Sequence, residues 1–205
     1  MALNEFEQKM YNRISSAVGG SQRVVTYYNS EENGDKKLDI LVAEDSPTQN
    51  LATVATLGAV NNFPKYEAPN GENLRVEFFS ITYQEYVWDF SRMLTGIALM
   101  ARNDESTPYS LGSMITNVIE KFFPDCNSDM KHIVFALPPD CWGEEKLDMV
   151  KLDDDNILTW LWAVPISEKE KIYLEKEGTA GLGKLLPDIM NNGLDIFDVN
   201  RNSLI

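Results

Sequence analysis

Phe6, Met10, Ile14 and Ala17/Val18 recur every three or four residues at the start of the chain, the spacing that gathers apolar side chains on one face of an α-helix. Asn4 stands where a cap belongs, with Glu7 three residues on, and Gly19-Gly20-Ser21 ends the pattern. The period then drops toward two. Residues 24–28 are β-branched or aromatic, and Leu38, Ile40 and Val42 alternate with Asp39 and Leu41. Between these runs Glu31-Glu32-Asn33-Gly34-Asp35 is a polar stretch with an Asn-Gly turn signal, so the pair predicts a long hairpin. Residues 51–57 predict another strand, stopped by Gly58, and residues 73–83 (NLRVEFFSITY) predict the longest strand of the first half. Over 84–102 the period returns to helical. Val87, Phe90, Met93/Leu94, Ile97 and Met100/Ala101 make a wide apolar stripe, so Phe90, Leu94 and Ile97 should lie on a sheet.

The second half repeats the alternation less regularly. Residues 113–123 are ambiguous, since Ile115, Val118/Ile119 and Phe122 also fit a helix. Residues 131–137 and 157–164 predict strands, the latter apolar almost throughout and so buried on both faces. Under period two, Trp160 and Trp162 share a face with Leu158 and Val164, which is a core pattern. Ser167-Glu168-Lys169-Glu170 is a capping box directly after Pro165, and it opens a helix that Gly178 closes. A Leu-rich stretch follows, and Pro187 starts a new turn or kinks the old one. Strands and helices are grouped rather than strictly alternating. The expected fold class is therefore α+β, with a mixed or antiparallel sheet flanked by helices. No linker tract or fixed-period repeat divides residues 1–205, so one domain is expected.

Composition adds limits. With 205 residues, 43% of them hydrophobic, the chain has ample material for a substantial core. No run approaches the roughly 20 apolar residues of a membrane span, and Glu5 and Glu7 occupy the place where a signal peptide carries positive charge. A cytoplasmic location is expected. Two cysteines, Cys126 and Cys141, make no disulfide framework and no CxxC pair. The net charge of −14 repels phosphate backbones, which disfavours direct nucleic-acid binding. It attracts a basic protein partner, and it also serves solubility. The acids concentrate at Glu31, Glu32 and Asp35 and again at Asp153, Asp154 and Asp155. These six, with Trp142 in the loop Pro138-Pro139-Asp140-Cys141-Trp142-Gly143, are the candidate partner-binding residues. Solvated acidic turns are the alternative reading of the two clusters.

Motifs for catalysis are missing at the level of sequence. His132 is the only histidine, at the entrance to a predicted strand, and no GxSxG elbow accompanies it. Asp153-Asp154-Asp155-Asn156 fails as a calcium loop, because Leu158 stands where Gly is needed and Val164 where the bidentate Glu belongs. Gly178, Gly181 and Gly183 match neither GxGxxG nor a Walker loop. No catalytic residue, metal site or cofactor is predicted. A hydrolase of unknown type, using carboxylates that sequence cannot pair, stays open without positive support.

Several segments in order carry a family resemblance: Ala55-Thr56-Leu57-Gly58, Arg75-Val76-Glu77-Phe78-Phe79, Phe135-Ala136-Leu137, and Trp162-Ala163-Val164-Pro165-Ile166 followed by Glu170, Gly178 and Leu185-Leu186. Together, over residues 24 to 190, they resemble the Suppressor-of-fused (SUFU) domain, the last block being its C-terminal signature. The animal Hedgehog regulators of that family carry an additional C-terminal domain that has no counterpart after this signature. The resemblance is therefore to the single-domain bacterial branch. Some of its members look like antitoxins or immunity proteins paired with secreted polymorphic toxins, including nuclease toxins of the LXG type. The resemblance implies a non-catalytic protein-binding module that neutralises a toxin, possible nucleases among them. A regulatory or scaffold module with a cellular partner is the alternative.

Overall fold

A computed structural model describes residues 5–28, 37–59, 66–67, 73–103, 109–124, 129–142, 147, 149–153 and 156–205. In chain order the elements are α1 (Glu5–Val18), β1 (Ser21–Tyr28), β2 (Lys37–Glu44), β3 (Leu51–Leu57), β4 (Tyr66–Glu67), β5 (Asn73–Tyr83), α2 (Val87–Asn103), β6 (Met114–Ile115), α3 (Ile119–Phe122), β7 (Met130–Ala136), β8 (Val150–Lys151), β9 (Asn156–Ser167) and α4 (Glu168–Asn191). Among the described residues the strands form one sheet in the order β1-β2-β3-β5-β9-β7-β6, with β4 added to β5 and β8 to β9. Every pairing is antiparallel except β5 with β9, which run parallel at the centre. The fold is α+β with a mixed sheet, as the grouping of elements predicts.

Both faces of the sheet are covered, so strand alternation separates two cores rather than core from solvent. Ile40, Val42, Phe78, Phe135 and Leu161 point to one face, where Phe90, Leu94 and Ile97 of α2 bury completely against them. Leu41, Phe79, Trp160, Trp162 and Val164 point to the other, beneath Met10 and Ile14 of α1 and Leu174, Leu182, Leu185 and Ile189 of α4. Asn4, the side chain of Phe6 and the Asn33-Gly34 turn lie outside the described residues.

Three local departures from the periodicity have physical causes. The ambiguous 113–123 segment is split, because Asn117 takes a positive φ of 53° that no helix passes through and separates β6 from α3. The stripe over 84–102 opens with a 3-10 turn at Gln84–Tyr86 before the α-helix begins. The last strand runs past Val164 through Pro165 to Ser167. Pairing with β5 ends at Trp162, so Pro165 lies where β9 has only β7 beside it. Ser167 then caps α4: its Oγ accepts from the Glu170 N–H at 3.1 Å and the Glu170 carboxylate accepts from the Ser167 N–H at 3.0 Å.

Candidate partner-binding surface

Topology brings the flanks of both acidic segments to one end of the sheet. There β2 and β5 begin, β3 ends, and β9 begins beside β5 with Asn73 next to Asn156. Tyr28 pairs with Lys37 across the first acidic segment, and Asp153 and Asn156 bracket the second. β2 and β9 stand three strand spacings apart, about 14 Å. Asp153 is exposed; its carboxylate accepts from the Asn156 side-chain amide at 2.7 and 2.9 Å. The Asn156 side-chain Oδ1 accepts in turn from Arg75 Nε at 3.2 Å. Glu31, Glu32, Asp35, Asp154 and Asp155 lie outside the described residues. Trp142 is half-buried rather than freely exposed. Its ring packs 5.8 Å from that of Phe79 at the margin of the α1/α4 core.

A second feature has no counterpart in the sequence reading. Where β7 leaves the sheet, Leu137-Pro138-Pro139 forms a ridge with a hollow on either side. One is an open, largely apolar groove of about 300 Å³ between the ridge and the part of α4 that follows Gly178, where the helix breaks, lined by Trp162, Leu182, Leu186 and Pro187 among others. The other, about 250 Å³, runs between the ridge, Leu147, Met149 and Thr159. Leu111 (39% exposed), Leu137 (59%), Met149 (67%) and Met190 (52%) crowd around this ridge. They are four of the ten exposed large apolar side chains among the described residues, a concentration that makes this a candidate surface. The signal available in sequence is the Pro-Pro pair, which ends β7 and leaves Leu137 beyond the last ladder partner.

The polar groups elsewhere act as fastenings. His132 on β7 is buried; its Nδ1 accepts from the Asn117 N–H at 3.0 Å, so Nε2 carries the proton and donates to Glu168 at 2.7 Å. Both ring nitrogens are thus engaged, and the ring joins the β6–α3 turn to the first turn of α4. The hydrogen bond from His132, with a smaller contribution from Lys171, holds the Glu168 carboxyl below the ordinary glutamate range. Burial, reinforced by Asp140, pushes the Cys141 thiol up to about 12, so it is protonated at neutral pH. Cys126 lies outside the described residues.

Three comparisons place this arrangement among known proteins. Residues 34–202 match the model of the family described as Suppressor of fused protein (SUFU). Over 206 residues, covering 100% of both chains, the sequence is 32% identical to "Immunity protein YqcF" of Bacillus subtilis (strain 168). The fold is similar to that of the chain in "the Sufu-Fu complex crystal structure", with a TM-score of 0.65 and 9% identity over 96% of this chain and 91% of that one. At that identity the last likeness speaks for the fold alone.

Proposed function

The chain belongs to the Suppressor of fused protein (SUFU) family, and from that premise we propose that it is a bacterial immunity protein, which binds and neutralises a toxin without chemistry of its own. The observation that carries this reading is the end-to-end likeness to a relative named as an immunity protein, 32% identical with neither chain overhanging the other. The charge of −14 supports a basic toxin domain such as a nuclease, because carboxylates can occupy the track that phosphates would take. In this reading residues 1–205 work as one cytoplasmic domain. Glu31, Glu32, Asp35, Asp153, Asp154 and Asp155 meet the toxin from one end of the sheet, with Trp142 packed at the margin of the interface.

Neutralisation requires shape, a few desolvated anchors and complementary charge, and no catalytic group. Co-expression tests the proposal. The toxin encoded beside this gene should arrest growth when produced alone and fail to do so when this chain is present. The purified pair should co-elute as a stable complex. Arrest that persists despite soluble immunity protein would overturn the reading. A locus without a toxin gene would favour a regulatory module instead.

A further inference from the structure

The two edges of the sheet are finished differently. At one edge β6 is two residues long, Met114–Ile115, too short to template a further strand. At the other, β1 runs eight residues, Ser21–Tyr28, and pairs with β2 in unbroken register from Ser21–Glu44 to Tyr28–Lys37. Among the described residues its outer side meets no strand, and none of its eight residues is buried. Backbone groups alternate between the two sides of a strand, so part of the N–H and C=O groups of β1 point away from β2. The devices that blunt such an edge are missing: β1 has no proline, no bulge and no lysine, and Arg23 is its only charge. Apolar side chains flank the open side. Val24 and Tyr28 are exposed on one face, while on the other Arg23 lies 5.3 Å over the exposed ring of Trp88 at the start of α2.

Charge selects among possible strands. Arg23 pairs with Glu44 and Arg92 of α2 with Asp89, so this edge is close to neutral in a chain carrying −14, and nothing along β1 favours a basic segment. A second copy brings an equally open strand, the matching apolar side chains and no acid within the pairing. Antiparallel pairing about a two-fold axis perpendicular to the sheet keeps Val24, Thr26 and Tyr28 of one copy on the same face as those of the other. It also sends the acids that follow Tyr28 in sequence to opposite ends of the joint. Centred on Val25, it sets the two Tyr28 residues about 20 Å apart, well beyond the roughly 8 Å over which charges act at physiological salt. We infer that β1 is a dimer edge, pairing antiparallel with β1 of a second copy of this chain so that two sheets become one. The inference goes beyond the immunity reading and does not rest on it.

Sedimentation equilibrium of the full chain tests this, with hydrogen exchange reading the amides of residues 21–28. Wild type should sediment at twice the chain mass of 23.2 kDa, and exchange over 21–28 should slow as the dimer fills. Val24→Asp and Val24→Lys place a charge of either sign at an exposed edge position. Each should weaken the dimer by about tenfold or more, while circular dichroism melts check that the fold is kept. Ile172→Asp, exposed on α4, adds the same charge as Val24→Asp away from the edge and should leave the dimer unchanged. A wild type that stays at the monomer mass across the accessible concentrations overturns the inference, as does a dimer that both Val24 variants leave intact. If a monomeric wild type gains protection over 21–28 only when the purified, catalytically inactivated toxin domain is added, the edge belongs to a toxin strand. That result overturns the dimer and leaves the immunity reading in place.

Discussion

Glu170 is a carboxylate with no exposed surface, and four donors converge on it. Arg201 Nη1 and Nη2 donate at 2.7 and 2.8 Å, and the backbone N–H groups of Ser167 and Leu204 donate at 3.0 Å each. This cluster ties the last residues of the chain to the first turn of α4. Arg201 also donates to the Pro165 carbonyl at 3.0 Å. Replacing Arg201 by Met leaves a buried charge without its partner, which should cost about 3–5 kcal/mol in urea unfolding. Burial alone would raise the Glu170 pKa, but Arg201 and the two backbone donors outweigh it and hold the carboxyl below the ordinary range. A depressed folded-state pKa gives stability that is fully present above the unfolded glutamate value of about 4.3 and is lost as pH falls through the folded value. The urea midpoint should therefore hold steady from neutral pH down to about 5 and decline below about 4.3. Glu170→Gln should flatten that decline; an unchanged acid limb would assign it to other carboxylates. Ser167→Ala removes only the hydroxyl of the cap and should cost about 1 kcal/mol, with toxin affinity untouched. A melting transition equal to wild type would count against the cap.

α4 is two arms joined at Gly178, whose φ of 62° and ψ of −150° interrupt the helix. That combination is open essentially to glycine alone. No atom lies within 4 Å of where a Cβ would stand, so the strain in Gly178→Ala is purely of the backbone. It should lower stability by about 1–3 kcal/mol, and a substitution without effect on the urea midpoint would show that the break is held elsewhere. This break was legible in the sequence, as were β3, β5, the capping box and the stripe of α2, because each is written in local period or in a residue with one conformational use. The two-residue strands β4, β6 and β8 were not, since pairing so short leaves no period and depends wholly on the neighbouring strand. The strand expected over 157–164 runs on through Pro165 to Ser167, because 165 falls beyond the reach of β5. The acidic segments announce themselves as charge runs. The groove does not: Leu137 and Met190 continue the apolar pattern of β7 and α4, and only the packed chain shows them more than half exposed. Trp142, conspicuous in its loop, proves to rest partly on Phe79.

At the scale of the whole molecule, charge and topology act together. The chain carries −14, and the acidic segments are attached at strand ends on one side of the sheet rather than spread around it. Three consecutive aspartates in sequence repel one another, a cost that a basic partner would relieve in the proposed reading. Asp153, the described member of the cluster, accepts from the Asn156 side-chain amide at the start of β9. If the cluster steers the toxin, its effect belongs to the approach, before short-range contacts form. Replacing Asp153, Asp154 and Asp155 by Asn should then lower the on-rate far more than it raises the off-rate. The difference from wild type should shrink in high salt, where the Debye length falls to about 3 Å at 1 M. Stopped-flow association at two salt concentrations measures both. An on-rate for the triple variant that matches wild type at low salt would remove this cluster from the mechanism, and the charge at this corner of the sheet would then serve solubility.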